Sequence, residues 1–365
     1  MSIQYSVISS QIYILGPCSA ESREQVMETA KAISDLRFKI LDFKFIFRAG
    51  VWKPRTRPET FQGVGEPALE WLQEVKRTYG VPVATEVATP EHVEAALKAG
   101  IDYLWIGART SASPIAVSAI GSAIEDWRLK IGDLKGIFIK NPVNQDAELW
   151  LGNIARLEKT GVPVMAIHRG CGHQPCWSMA HKVRLARPDI PMLLDPSHMS
   201  GDAAQVPVLL KKVEELGLDG AMIEVHAHPE QALSDKAQQI RPKELAEIIP
   251  FGVTRPLLDG FLRTPSQKYA SERVSSPNEG FELNWLRAEI DELDERLWDT
   301  IAARMEVSKR IGEWKKEHGV TPLQPERYQE IVERINELTN ERGLSTDFAL
   351  RIWEQIHEES LKQQK

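Results

Sequence analysis

The chain has 365 residues and a formal net charge of -7, with 42% hydrophobic and 27% charged residues, the proportions of a globular protein rather than a disordered or fibrous one. The acidic balance argues against a nucleic-acid-binding surface as the main role. Three cysteines exclude a disulfide framework, and with neither a leader pattern nor a run near the roughly 20 apolar residues that span a bilayer, the expectation is a cytoplasmic protein with no membrane partner.

Eight short apolar runs read as strands: 12–15, 43–47, 81–85, 103–106, 136–139, 162–167, 192–194 and 221–225. Their nearly continuous hydrophobicity predicts burial on both faces, as in a parallel sheet. Segments with helical spacing lie between them. Residues 23–36 follow an acidic, serine-containing start, and 90–99 open on Thr89-Pro90 and close on Gly100. This alternation predicts an α/β fold, and eight repeats predict a closed (β/α)8 TIM barrel, with an open doubly wound sheet as the alternative.

Beyond about residue 249 the pattern dissolves. Pro250, Pro256, Pro265 and Pro277, interspersed with Ser266, Ser271, Ser275 and Ser276, read as a linker. The division is therefore a barrel domain over 1–250, a linker over 251–280 and a helical domain over 281–365. In the last part Leu283, Leu286, Ile290, Leu293, Leu297 and Ile301 recur at spacings of three and four, and the stripe continues to Ile311 and Trp314. The spacing predicts one helix of roughly 35 residues, about 50 Å long. Such a helix cannot bury its stripe alone, which points to an intertwined pairing of two chains. Two shorter helices follow, about 325–342 and 346–362, split by Gly343, making a small all-α three-helix domain.

Each predicted strand ends in a polar cluster, and a parallel barrel gathers those ends at one mouth. Cys18, His198, Glu224 and Asp235 follow the first, seventh and eighth strands. A thiol, an imidazole and two carboxylates suit Mn2+, Fe2+, Co2+ or Zn2+. A rival set, Cys171, His173 and Cys176, also has metal-like spacing. Arg48, Lys53, Arg55, Arg109, Lys140 and Arg169 all fall at or just beyond strand ends. So many cations at one mouth call for anions, phosphates and carboxylates above all. Salt bridges to Glu21, Glu59 and Glu86 are the plainer alternative.

The strand-end motifs are Gly-Pro-Cys-Ser (16–19), Phe-Arg-Ala-Gly (47–50), Lys-Pro-Arg-Thr (53–56), Ile-Gly-Ala-Arg (106–109), His-Arg-Gly (168–170), Asp-Pro-Ser-His (195–198), Ile-Glu-Val-His (223–226) and Ala-Leu-Ser-Asp (232–235). In this order they closely resemble the type I-beta 3-deoxy-D-arabino-heptulosonate 7-phosphate synthases, over residues 10–250. The resemblance implies condensation of phosphoenolpyruvate with erythrose 4-phosphate, with Lys-Pro-Arg-Thr pointing to the four-carbon substrate rather than arabinose 5-phosphate. It implies that Cys18, His198, Glu224 and Asp235 hold a divalent metal, Mn2+ foremost. Arg109 and Arg169 would grip the phosphate of phosphoenolpyruvate. Arg48, Lys53 and Lys140 would contact its carboxylate or the reacting centre, with Lys53 as proton donor. Arg55 and Thr56 would take the phosphate of erythrose 4-phosphate, and Asp195 would lie near its hydroxyls. The chain departs from common members at Val51-Trp52 and in the loop 171–178.

On the long helix Arg287, Arg304 and Lys315 are spaced by 17 and 11 residues, followed by Arg327, Ser360 and Gln364. As a set over 281–365 they resemble the small all-helical chorismate mutases. The resemblance implies a homodimer in which Arg304, Lys315 and Arg327 of one chain meet Arg287 of the other, Ser360 and Gln364 complete the pocket, and Arg304 and Lys315 are catalytic. Where that family has an aspartate and then a glutamate, this chain has Gln324 and Tyr328; the glutamate binds the substrate hydroxyl. The combined expectation is a bifunctional enzyme under feedback by prephenate or chorismate. The alternative is a synthase whose helical part only senses such a ligand.

Overall fold

The computed structural model describes residues 11–36, 45–55, 59–131, 134–249, 279–321 and 323–364. Eight parallel strands close into a barrel in sequence order, with the first strand hydrogen-bonded to both the second and the eighth. They are β1 Ile12–Gly16, β2 Ile46–Arg48, β3 Val83–Val87, β4 Tyr103–Ile106, β5 Gly136–Lys140, β6 Val164–His168, β7 Met192–Leu194 and β8 Gly220–Glu224. The helices between them are α1 Arg23–Asp35, α2 Pro67–Tyr79, α3 Pro90–Lys98, α4 Pro114–Ile131, α5 Ala147–Glu158, α6 Trp177–Ala186, α7 Pro196–Ser200 and α8 Val206–Glu215, with α9 Pro242–Ile248 after the last strand.

Local chemistry sets these ends. Ser22 and Thr89 cap α1 and α3 by accepting from the amides of Gln25 and His92. β3 and β6 begin two residues later than their apolar runs suggest, because Pro82 and Pro163 have no amide to donate. Each instead offers its carbonyl to the neighbouring strand, Pro82 to the amide of Phe47 and Pro163 to that of Ile137, both at 2.8 Å. The predicted second strand begins at 43, and residues 43 and 44 lie outside the described set, as do Thr56 and residues 250–278 of the proposed linker.

Alternate strand residues divide the core in two. Ile12, Ile14, Ile46, Ala84, Tyr103, Trp105, Phe138, Met165, Ile167, Leu193 and Met222 fill the barrel. Tyr13, Leu15, Phe47, Val83, Leu104, Ile137, Ala166 and Leu194 face outward and pack under the helices.

From residue 279 come α10, Glu279–Glu317, then α11 Pro325–Arg342 and α12 Thr346–Gln363. The chain forms two compact units, Met1–Glu289 and Ile290–Lys365, so the division falls inside α10. The first turns of that helix belong to the barrel unit. Trp285 is 3% exposed. Its indole donates to Leu216 O at 3.1 Å and stacks on His181 at 5.3 Å with the rings 7° apart, while Trp177 meets it edge-on at 6.1 Å. His181 pairs with Glu289, and Asn284 donates to Glu215 O at 2.9 Å. Trp285→Ala is therefore expected to destabilise the barrel unit by about 3–5 kcal/mol. Urea unfolding checks this, and a midpoint equal to wild type would show that the tryptophan is only laid on the surface.

In the second unit, α10 continues past Gly312, where a Cβ would come within 2.6 Å of the Gln364 backbone; only glycine lets the C-terminus close in. Ile290, Leu293, Leu297, Trp298, Val307, Ile311 and Trp314 remain exposed along it. Among the described residues, no helix is long and apolar enough to cross a membrane.

Candidate active site

The row of side chains beyond the inward core residues carries the polar groups. Two positions after Ile46, Ala84, Phe138, Ile167, Leu193 and Met222 come Arg48, Glu86, Lys140, Arg169, Asp195 and Glu224. Period-two alternation alone thus aims six ionisable residues at one mouth. Gly107 stands in the same row after Trp105, where a Cβ would collide with the Glu86 carboxylate at 2.1 Å.

Arg48 is 1% exposed. It donates to Glu224 Oε1 at 3.1 Å and to Cys18 O at 3.2 Å, and its guanidinium lies 4.7 Å over the Trp105 ring. Its Nε and Nη1 have no partner. Beside it Lys53 Nζ donates to Cys18 O and Cys18 Sγ, both at 3.1 Å. Burial works against the Lys53 charge, but Cys18, Glu86 and Glu224 outweigh it and hold its pKa above the ordinary lysine value. Lys140 meets Asp195 Oδ2 at 2.6 Å and lies 3.5 Å from His198 Nδ1. Asp195 stays far below the usual carboxylate range because His198 and Lys140 overcome its burial. Burial in turn draws Lys140 below its ordinary value. The short contact between them is that of an ionised pair. Three of the six cations thus find partners among the acids of the site itself, Arg48 with Glu224, Lys140 with Asp195 and Arg55 with Asp235, the last at 2.9 Å.

The four candidate metal ligands fall into two couples. Cys18 Sγ donates to Asp235 Oδ2 at 3.0 Å, and His198 Nε2 lies 3.6 Å from Glu224 Oε1. Arg48 bridges the couples, donating to Cys18 O and to Glu224 Oε1, while Lys53 donates to Cys18 alone. Among the described residues no group of three or more His, Cys, Asp and Glu side chains stands in metal-holding geometry, and this applies equally to Cys171, His173 and Cys176. The donor set nevertheless fits a divalent ion. The Cys18 thiol is pushed up to about 12 by burial and then by the charge of Glu224, and a cation among these ligands would oppose both causes.

Arg169 is set by Asn141, whose Oδ1 accepts from the Arg169 amide at 2.7 Å, and its Nη2 donates to His198 O at 3.3 Å. Burial, and then the charge of Arg109, hold its guanidinium below the ordinary value, so two like charges face one region. His168 points the other way, between Trp150 and Trp177, with Nε2 at 2.6 Å from Pro175 O; burial takes its pKa to about 4.

Some contributors carry no sequence signal. Gln238 donates to Glu224 Oε2 at 2.7 Å, and Gln239 accepts from the Cys18 amide at 3.0 Å. Gln238 ends a single 3-10 turn, Lys236–Gln238, and Gln239 follows it, a stretch too short for any periodicity to mark them. Asn141 was detectable only as a neighbour of Lys140 at a strand end.

In the second unit Arg304 Nη1 donates to Ser360 Oγ, and Lys315 Nζ to Gln364 Oε1 at 3.2 Å. These four meet across α10 and α12. Arg327, on α11, is 63% exposed and paired with Glu330 at 2.7 Å. Arg287 is exposed and belongs to the first unit.

The model of the DAHP synthetase I family matches residues 9–254, and that of chorismate mutase type II matches 286–365. A phospho-2-dehydro-3-deoxyheptonate aldolase of Thermotoga maritima is 33% identical over 244 residues, 65% of this chain and 67% of that protein. A 2-dehydro-3-deoxyphosphooctonate aldolase of Desulfatibacillum aliphaticivorans is 27% identical over 255 residues, 66% of this chain and 89% of that one. The crystal structure of the Thermotoga maritima DAHP synthase superposes with a TM-score of 0.55 at 29% identity, covering 65% of this chain and 66% of that one. The chain belongs to the DAHP synthetase I family and continues into a chorismate mutase type II domain, two enzymes of the shikimate pathway on one polypeptide.

Proposed function

We propose that the barrel condenses phosphoenolpyruvate with erythrose 4-phosphate to 3-deoxy-D-arabino-heptulosonate 7-phosphate, and that the helical domain rearranges chorismate to prephenate. The observation that carries the first reading is Arg48, sealed in the mouth with two guanidinium nitrogens unmatched. Unmatched buried donors beside Lys53, Lys140 and Arg169 call for an anion rich in oxygen.

Arg109 and Arg169 take the phosphate of phosphoenolpyruvate, and Arg48 with Lys140 takes its carboxylate. Arg55 and Thr56 receive the phosphate of the aldose, whose hydroxyls approach Asp195. C3 of phosphoenolpyruvate attacks the aldehyde carbon, and Lys53, held in its charged form, gives a proton to the forming alkoxide. Water adds at C2, and the hemiketal loses phosphate. A divalent ion, Mn2+ foremost with Fe2+, Co2+ or Zn2+ as alternatives, when held by Cys18, His198, Glu224 and Asp235, supplies Lewis-acid polarisation of the aldehyde oxygen.

In the helical domain Arg304 and Lys315 place positive charge on the carboxylates and the breaking ether oxygen of chorismate. Arg327 leaves an exposed ion pair of little worth to join them. Two copies pair through the apolar face of α10, each lending Arg287 to the other; the exposed run from Ile290 to Trp314 supports this. We take 1–250 as synthase, 251–280 as linker and 281–365 as mutase, acting in the cytoplasm, where the three free cysteines stay reduced. Prephenate or chorismate bound in the helical domain feeds back on the synthase.

One preparation tests these statements together. Loss of phosphoenolpyruvate in the presence of erythrose 4-phosphate is expected to stop after chelation and to return with Mn2+, while loss of chorismate continues throughout. Synthase turnover that survives exhaustive chelation would remove the metal. A synthase rate indifferent to saturating prephenate would remove the feedback.

A further inference from the structure

The second unit holds a shielded polar atom that none of these roles employs. His357 Nε2 is closed off from solvent and has no hydrogen-bond partner. A shielded nitrogen without a partner is costly, so it marks a place where a partner arrives from outside the chain. His357 lies one turn before Ser360 and two turns before Gln364 on α12, hence on the face that meets Arg304 and Lys315. Its ring is fixed from two directions. Trp353, one turn earlier, stacks on it at 4.9 Å and 16°. Tyr328 of α11 presents itself edge-on at 5.4 Å from His357 and at 4.9 Å from Trp353. Tyr328 occupies the position where chorismate mutases carry the glutamate for the substrate hydroxyl. An aromatic ring thus stands in place of a carboxylate, edge-on to an imidazole whose Nε2 is unmatched.

We propose that His357 takes the ring hydroxyl of chorismate through Nε2, and that Tyr328 and Trp353 hold the imidazole in position for it, in place of the missing carboxylate. This deepens the mutase reading above and rests on it. A neutral ring suits the task. Partial burial first, and then the charges of Arg304 and Lys315, hold the His357 pKa below the ordinary histidine value against the pull of Glu358. With its proton on Nδ1, a neutral imidazole offers Nε2 as an acceptor. It adds no charge to a pocket whose cations are committed to the substrate carboxylates.

The test is mutase kinetics of the full chain with chorismate and with an analogue lacking the ring hydroxyl. Wild type is expected to favour chorismate by about 10–100-fold in kcat/KM. His357→Phe keeps the stack and the edge contact but brings the ratio close to one, with turnover of the analogue little changed. His357→Gln returns an acceptor and restores part of the ratio. Synthase turnover in each variant confirms a folded barrel unit, and far-ultraviolet circular dichroism confirms the helices. An unaltered ratio in His357→Phe overturns the proposal and leaves the mutase reading standing. Equal loss of both substrates in both variants also overturns it, since that is the signature of a packing residue. A wild type without chorismate turnover overturns the proposal and the mutase reading together.

Discussion

Replacing Arg304 by alanine is expected to lower kcat/KM for chorismate by about 100–1,000-fold and to leave the synthase untouched. Arg304 sits inside α10, where alanine is the best helix former, so the helix survives the change. What disappears is the guanidinium that donates to Ser360 Oγ and to Ile356 O, the latter at 3.5 Å. Ser360 Oγ still donates to Ile356 O at 2.8 Å and is not orphaned. The loss therefore falls on the chemistry rather than on the fold. Measured turnover that survives this substitution would remove Arg304 from the pocket, and tight prephenate binding without turnover in wild type would favour a sensor. Mixing Arg304→Ala chains with Arg287→Ala chains adds a test of the pairing. If one chain lends Arg287 to its partner, mixed dimers regain one intact pocket and a measurable share of the rate; no recovery would mean that each chain builds its pocket alone.

Lys53→Ala is expected to slow the consumption of phosphoenolpyruvate by about 100–10,000-fold with the mutase unaffected. The ammonium is buried against Cys18 and charged by its acidic neighbours, and alanine leaves nothing to replace it. Lys53→Arg is not expected to rescue, because a planar fork cannot occupy the place of a point charge touching both Cys18 O and Cys18 Sγ. Comparing Lys53→Ala with Cys18→Ser, with metal content measured in each, separates the two roles. A proton donor lost alone leaves bound metal unchanged, whereas a ligand lost alone reduces it. A Lys53→Ala enzyme near wild-type rate would remove Lys53 from the proton transfer.

The barrel was legible because each strand is a short, doubly buried run with a polar end, and because two-residue alternation fixes which end residue faces inward. Arg48, Lys140, Arg169, Asp195 and Glu224 follow from that rule alone. It failed by two residues where a proline occupies the strand entrance, as at Pro82 and Pro163, since hydropathy does not register a missing amide. Gln238 and Gln239 were illegible for a different reason. Their partners, Glu224 and the amide of Cys18, lie 14 and 221 positions away, and a single 3-10 turn is too short to show a period. The helical part was read almost to the residue, because Gly343 and the capping Ser345 punctuate an otherwise unbroken pattern. His357 carries no signal of its own there, because a histidine in an aromatic setting resembles ordinary filling and only the structure shows its unmatched nitrogen.

The docking of Trp285 bears on how these two enzymes could ever be parted. A scission before α10 would free the mutase but strip the synthase of a tryptophan that plugs the seam between α6 and the end of α8. A scission after Glu289 would keep the plug and break the hydrogen-bond ladder of a continuous helix. No single break along this stretch spares both halves, so a gene encoding the pair is under physical pressure to remain one reading frame.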